Sequence, residues 1–189
     1  MNGIGSKMLA VGAVAAAVAV AMPAAAHAEE RVCRGSIGAR TLDNVRVPTG
    51  ETCRLTRMHV KGTITVQRGA TLLADRVRVV GNVQAEGARN VVVRNGSRIG
   101  GSVQVKQGGR AKVVWSRVNA DIQYDANRGE LVASRNHVGG SIQVDGNSGL
   151  ARIFHNVIDG NLQCKENEPS PRGDGNRVGG NKEDQCSGF

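Results

Sequence analysis

Aromatic residues are scarce in this chain of 189 residues, at 2% of the sequence. A β-sandwich or a helical bundle with so few would be unusual, because aromatic side chains supply much of the apolar area that such cores bury. The sequence also lacks a zinc-ligand spacing, a glycine-rich phosphate loop and any conspicuous set of nucleophile, histidine and acid. We therefore expect no cofactor, no metal and no catalytic residue. The four aromatic residues are Trp115, Tyr124, Phe154 and Phe189.

Long apolar runs are absent after Ala28. Lys7 precedes an apolar run over Met8–Val20, and Ala26-His27-Ala28 has the small-x-small pattern of a cleavage site. This pattern predicts a secretory signal peptide over residues 1–28, cleaved near Ala28, with an uncleaved anchor as the alternative. The run is short for a membrane span, which needs about 20 residues. We expect one domain over residues 29–189 in the extracellular space or the periplasm.

A short string recurs along the remaining chain. Its copies begin at a small residue, here called the anchor, and read Gly62-Thr-Ile-Thr-Val66, Gly81-Asn-Val-Gln-Ala85, Gly101-Ser-Val-Gln-Val105, Ala120-Asp-Ile-Gln-Tyr124, Gly140-Ser-Ile-Gln-Val144 and Gly160-Asn-Leu-Gln-Cys164. A weaker copy begins at Asp43 and a degenerate one at Gly180. Successive anchors lie about 20 residues apart throughout, and a nearly constant period of this length is typical of solenoid proteins.

Apolar and polar residues alternate on both sides of each anchor. Positions two before and two after it hold Val, Ile or Leu in most copies, with polar residues between them. This is the period of a β-strand, bent at the small residue. A unit this short buries its apolar face only by stacking on its neighbours. The sequence therefore predicts a single-domain parallel β-helix of about eight coils. Lys182 and Asp184 fall in the inward columns of the last copy, where the stack should end.

The four cysteines lie near the two ends of the repeat. Cys33 and Cys53 are separated by one coil length, and Cys164 and Cys186 by slightly more. Stacked coils would bring such pairs to about 5 Å, inside the Cα range of a disulfide. Export permits disulfides, so we predict Cys33–Cys53 and Cys164–Cys186, with free thiols as the alternative.

The C-terminal segment resembles the tail of a group of small exported bacterial right-handed β-helix proteins of uncharacterised function. The similar residues are Gly160–Asn167, Pro169, Pro171, Gly175–Asn176 and Gly179–Cys186. The resemblance implies the same fold and disulfide-capped ends. It carries no catalytic residue to this chain.

Basic residues recur three and five positions before the anchors. Without Lys7, Lys and Arg outnumber Asp and Glu by 24 to 16. Both columns should face outward and form what we call the basic stripe, which suits an anionic polysaccharide, a teichoic-acid-like polymer or, without sequence specificity, nucleic acid. The alternative is a solvated face without a ligand. The candidate residues are Arg57, His59, Arg76, Arg78, Arg98, Trp115, Arg117, Arg135, His137, His155 and Arg177.

Four other features have structural explanations that we favour over functional ones. The Ser, Asn, Thr and Gln residues around the anchors could match an ordered surface, but stacked Gln side chains also explain them. Asp125 and Asp145 stand one coil apart and could act in glycoside hydrolysis or bind Ca²⁺, or belong to a ladder of salt bridges. The column of Ser97, Ser116, Asn136, Asn156 and Asn176 is expected to face inward as a ladder. Asn127, Asn147 and Asn167 are interpreted as turn residues, because they stand near Gly and asparagine tolerates unusual φ.

The leading functional hypothesis is a non-enzymatic exported structural or binding module, monomeric, that presents the basic stripe to an anionic polymer. The alternatives are a small polysaccharide-active lyase or hydrolase and a self-assembling filament subunit. Trp115 could serve as a sugar platform or pair with Arg117 or Arg135.

Overall fold

The computed structural model describes residues 29–189, which form β-strands and no helix. The predicted signal peptide lies outside the described residues. The strands are β1 (Glu30–Val32), β2 (Gly35–Ile37), β3 (Thr41–Leu42), β4 (Asn44–Val47), β5 (Thr52–Thr56), β6 (His59–Val60), β7 (Ile64–Val66), β8 (Thr71–Asp75), β9 (Arg78–Val79), β10 (Val83–Glu86), β11 (Asn90–Arg94), β12 (Arg98–Ile99), β13 (Val103–Lys106), β14 (Arg110–Val114), β15 (Arg117–Val118), β16 (Ile122–Asp125), β17 (Leu131–Ser134), β18 (His137–Val138), β19 (Ile142–Asp145), β20 (Ala151–Phe154), β21 (Val157–Ile158), β22 (Leu162–Lys165), β23 (Arg172–Asp174), β24 (Arg177–Val178) and β25 (Lys182–Asp184).

Every third strand joins the same sheet, so each coil contributes one strand to each of three parallel sheets. The first sheet runs β1-β4-β7-β10-β13-β16-β19-β22-β25, the second β2-β5-β8-β11-β14-β17-β20-β23, and the third β3-β6-β9-β12-β15-β18-β21-β24. Equivalent residues of successive coils pair in register, as Val83 does with Val103 and Val103 with Ile122. The fold is a single-domain β-solenoid of about eight turns, which confirms the predicted parallel β-helix.

The core is a set of stacked apolar columns, one or more from each sheet. In the first sheet Val83, Val103 and Ile122 are fully buried, and β-branched residues fill the equivalent positions of the third sheet. Burial of each such side chain contributes roughly 1.5–3 kcal/mol. Tyr124 is the buried aromatic residue of these columns, and its hydroxyl donates to the carbonyl of Val132, 2.9 Å away in the second sheet.

Both predicted disulfides are present, one near each end of the solenoid. The Cα atoms are 5.6 Å apart in Cys33–Cys53 and 5.3 Å apart in Cys164–Cys186, and all four cysteines are buried. Lys182 and Asp184 of β25 stand in register with residues of β22 and are exposed. The described stack therefore ends at the coil whose inward columns turn charged, as the sequence predicts.

The bend between the third and first sheets explains the small anchor residues. The residue after each anchor accepts a hydrogen bond from the backbone N–H of its counterpart one coil later, as Oδ1 of Asn82 does from Ser102 at 2.8 Å. The same bond joins Thr63 to Asn44 and Ser141 to Asp121. A Cβ at Gly101 would collide with Oδ1 of Asn82. An alanine is accommodated at position 120, where the neighbouring side chain is the smaller Ser102.

Gly101→Ala is therefore expected to lower the free energy of unfolding by roughly 1–3 kcal/mol, because the new methyl displaces the Asn82 amide from its backbone donor. Gly160→Ala is the matched control. A Cβ there would lie 2.7 Å from the Ser141 hydroxyl and 2.8 Å from the Gly140 carbonyl oxygen and would meet no side-chain amide. It should cost less, because the natural Ala120 occupies the equivalent position beside Ser102. Urea unfolding of the two variants compares them directly. Equal losses would show that the amide does not set the requirement for glycine.

Candidate anion-binding surface

The outward position of the third sheet forms a continuous column along the solenoid. Arg78, Arg98 and Arg117 begin β9, β12 and β15, pair in register, and are all exposed. Successive side chains of a β-strand point to opposite faces of the sheet. The three arginines therefore face outward, because Val79, Ile99 and Val118 beside them point into the core. The column continues through residues at both ends, which are His59, His137, Val157 and Arg177.

A second column lies at the corner where the second sheet turns into the third. Every member has a left-handed backbone, with φ near 51–55° at the non-glycine residues, and all are exposed. Few residues other than glycine adopt this conformation, so the sharp corner rather than the residue type imposes it. The members are Arg57, Arg76, Gly96, Trp115, Arg135, His155 and Gly175. The two columns together hold all eleven residues predicted for the basic stripe.

Carboxylates neutralise only part of this surface. Asp75 accepts from Nε of Arg94 at 2.9 Å, Nε of Arg76 at 3.2 Å and Nδ2 of Asn95 at 2.6 Å. Burial opposes ionisation of Asp75, but these hydrogen bonds and the two arginine charges outweigh it, so its pKa lies below the usual value. Nε2 of His137 lies 3.5 Å from Asp159. Within residues 29–189, no carboxylate lies within 4 Å of the cationic groups of Arg57, Arg78, Arg98, Arg117, Arg135 or Arg177.

The three sheets differ in charge. Strands of the third sheet contain four Arg and no acidic residue, and those of the second contain six Lys or Arg against two Asp. Strands of the first sheet contain five basic and six acidic residues. The positive charge of the described strands is therefore concentrated away from the first sheet.

Trp115 lies at the centre of the basic stripe and is 59% exposed. The guanidinium carbon of Arg135 lies over its ring, 5.0 Å from the centroid, so Arg135 rather than Arg117 is its cation–π partner. A shallow depression of about 530 Å³ opens here. Its lining includes Gly96, Arg98, Trp115, Arg117, Arg135 and His137.

The predicted asparagine ladder lies buried at the same corner, beneath the basic stripe. The amide of Asn156 illustrates it: Oδ1 accepts from N and Nδ2 of Asn136 at 3.0 Å, and Nδ2 donates to Asn176 and to the carbonyl of Ala133 at 2.9 Å. Ser97 and Ser116 continue the column toward the N-terminus. These bonds hold together the backbone from which the cations project.

Asn127, Asn147 and Asn167 lie in the turns after β16, β19 and β22, as predicted, but they do not adopt an unusual φ. The left-handed positions are the preceding residues, Ala126, Gly146 and Glu166. The three amides are buried and form a second ladder between the first and second sheets, with Asn127 bonded to Asn147 and Asn147 to Asn167. Gln185 completes this ladder at the last coil. The sequence holds the signal, since these asparagines repeat at the coil length.

Polar side chains of the first sheet bond to one another along the solenoid. Gln104 donates to Gln123 at 2.8 Å and Gln123 to Gln143 at 3.0 Å, and the column ends on the carboxylate of Glu183. These are the stacked Gln contacts that the structural explanation of this array predicts. Within residues 29–189 the one buried side-chain N or O atom without a hydrogen bond is Nε2 of His59.

Asp125 and Asp145 occupy adjacent register positions on the first sheet. Lys106 lies 3.8 Å from Asp125, and Lys165 pairs with the neighbouring Glu166 instead of Asp145. The predicted salt-bridge ladder therefore forms at one step only. No group of three or more His, Cys, Asp or Glu residues in the described range could hold a metal ion.

No protein-family model matches the chain, and no curated protein or solved structure matches it either. The resemblance of the C-terminal segment to exported β-helix proteins thus stays a prediction. In residues 29–189 the structure contains no helix long and apolar enough to cross a membrane.

Proposed function

We propose that this protein is an exported, non-enzymatic binding module that holds an anionic polymer along the basic stripe. The observation that carries the proposal is the register of Arg78, Arg98 and Arg117, three exposed guanidinium groups on consecutive coils without a carboxylate partner among the described residues. The two disulfides support export, since such bonds persist in oxidising compartments.

Like charges stacked along a sheet repel one another. At the strand spacing of about 4.8 Å, two unit charges repel by roughly 1 kcal/mol in water and by more beside a protein surface. A polymer with one negative charge or more per coil removes this repulsion and releases its own counterions. Guanidinium groups also bind carboxylate and phosphate with paired hydrogen bonds, which favours Arg over Lys at these positions.

Replacing Arg78, Arg98 and Arg117 by Ser is expected to reduce retention on heparin at low salt. The slope of log affinity against log salt concentration should become shallower by roughly one unit for each arginine that the polymer engages. Heparin is the probe, and a titration across a salt series is the measurement.

The matched control replaces Arg54, Lys112 and Arg172 of the second sheet by Ser. This control also removes three positive charges. Like the arginines of the stripe, the three residues are exposed and lack carboxylate partners within residues 29–189. They differ in standing on non-consecutive coils of one column. Binding by the stripe predicts a small effect here. Equal effects of the two triple variants would indicate attraction by net charge alone and would end the proposal.

A further inference from the structure

We infer that the depression at Trp115 is a subsite for one sugar ring of an acidic polysaccharide, in which the indole contacts the ring and neighbouring cations bind its carboxylate. The inference rests on the proposed function and narrows it from anionic polymers in general to polymers of acidic sugars. It comes from the neighbours of Trp115 in its own column, whose side chains leave one side of the indole uncovered.

Arg135 and Gly96 flank Trp115 on the two adjacent coils. Arg135 stacks on the ring from one side. On the other side the corner holds two residues, Asn95 and Gly96, and a Cβ built on Gly96 would have no atom within 4 Å. One side of the indole is therefore fixed by a cation while the other borders open space. An ordered aromatic side chain loses little entropy on binding, which makes it a good platform.

The segment before Gly96 is held away from this space. Asn95 and Gly96 both have positive φ, 60° and 79°, so the coil contains two left-handed residues where its neighbours contain one. Asp75 bonds the amide of Asn95 at 2.6 Å and the guanidinium of Arg94 at 2.9 Å. These contacts hold the side chains of Arg94 and Asn95 against Asp75 on the preceding coil.

The cations of the depression suit a carboxylate. Arg98 and Arg117 pair in register on adjacent coils and both line the depression. Neither has an acidic partner among the described residues. Either can bind a carboxylate with two hydrogen bonds. Arg135 stacks on the indole.

The aromatic ring distinguishes an acidic sugar from a phosphate polymer. A sugar ring presents an apolar face of C–H groups that packs on an indole, and inorganic polyphosphate has no such face. Single-stranded nucleic acid is the rival, because its bases stack on aromatic side chains within basic grooves. The three polymers therefore separate the contribution of the ring from that of the charge.

The test measures binding of polygalacturonate, inorganic polyphosphate and oligothymidylate to the full mature chain and to Trp115→Ala. We expect about a tenfold loss of affinity for polygalacturonate and no change for polyphosphate. The substitution should fold, because Trp115 is exposed and Ala126 already adopts the same left-handed φ. Thermal unfolding checks this.

Gly96→Gln provides a second variant with the opposite geometry. It keeps Trp115 but adds a neutral side chain to the lining of the depression, and Gln107 shows that glutamine adopts a left-handed backbone in this chain. It should weaken polygalacturonate binding as Trp115→Ala does and leave polyphosphate binding unchanged.

Three outcomes would overturn the subsite. These are unchanged polygalacturonate binding in Trp115→Ala, an equal loss for polyphosphate, or an equal loss for oligothymidylate, which would indicate base stacking. Failure of the proposed function looks different, since the unsubstituted protein would then bind none of the three polymers.

Discussion

Replacing Asn156 by alanine is expected to destabilise the solenoid by roughly 3–5 kcal/mol. The substitution removes four side-chain hydrogen bonds from a site that is completely buried. It leaves the backbone N–H of Asn136 without its acceptor and the carbonyl of Ala133 without the amide that donates to it. Buried polar groups that lose their partners cost more than the bonds contribute on average. Urea unfolding followed by circular dichroism measures the loss.

Asn119→Ala is the matched control for this prediction. Asn119 is exposed, directly follows β15 in the third sheet, and its side chain makes no hydrogen bond within the described residues. Its substitution should change the free energy of unfolding by less than about 0.5 kcal/mol. A loss below about 1 kcal/mol for Asn156→Ala would show that water or relaxation satisfies the ladder, contrary to our account.

The columns were predictable from the sequence because solenoid register converts a linear period into neighbours in space. Once Gly101, Ala120 and Gly140 are aligned, the partner of every residue between them follows. This is why the basic stripe, the inward apolar columns and the disulfide pairs all appear in the structure as the alignment predicts. The period alone therefore determines which residues share a column.

The second asparagine ladder was not predicted, although its residues repeat along the chain as those of the first ladder do. Asn127 and Asn156 both belong to runs of asparagine spaced by the coil length. The glycines near Asn127 suggested a turn, and the left-handed residue is in fact the one before it. A residue that repeats at the coil length is better assigned by its column than by its local neighbours.

The choice of partner among neighbouring side chains, within a column or between columns, was beyond the sequence. The cluster of Asp75 with Arg76, Arg94 and Asn95 depends on an extra residue in one corner, and the choice of Arg135 over Arg117 by Trp115 depends on side-chain rotamers. Both features shape the candidate site. The sequence therefore located the surface, while the structure was needed to find the open side of the indole.

Replacing Cys164 and Cys186 together by Ser is expected to lower the free energy of unfolding by roughly 3 kcal/mol, from the closure entropy of a loop of this length. The loss should be local at first. Each coil of a solenoid contacts only its neighbours, so the end coil can separate without the rest. Hydrogen exchange should accelerate in β24 and β25 and remain slow in β13 and β16. In the end coil, Val178 pairs with Ile158 and the backbone N–H of Gln185 donates to the carbonyl of Cys164.

The variant with Cys33 and Cys53 replaced by Ser is the control at the opposite end. It removes a bond of nearly the same loop length and should accelerate exchange in the first coils instead. Opposite patterns in the two variants would show that each disulfide holds its own end against fraying. A uniform increase along the solenoid in either variant would contradict this, because it would mean that the coils unfold as one unit and that the cap stabilises all of them equally.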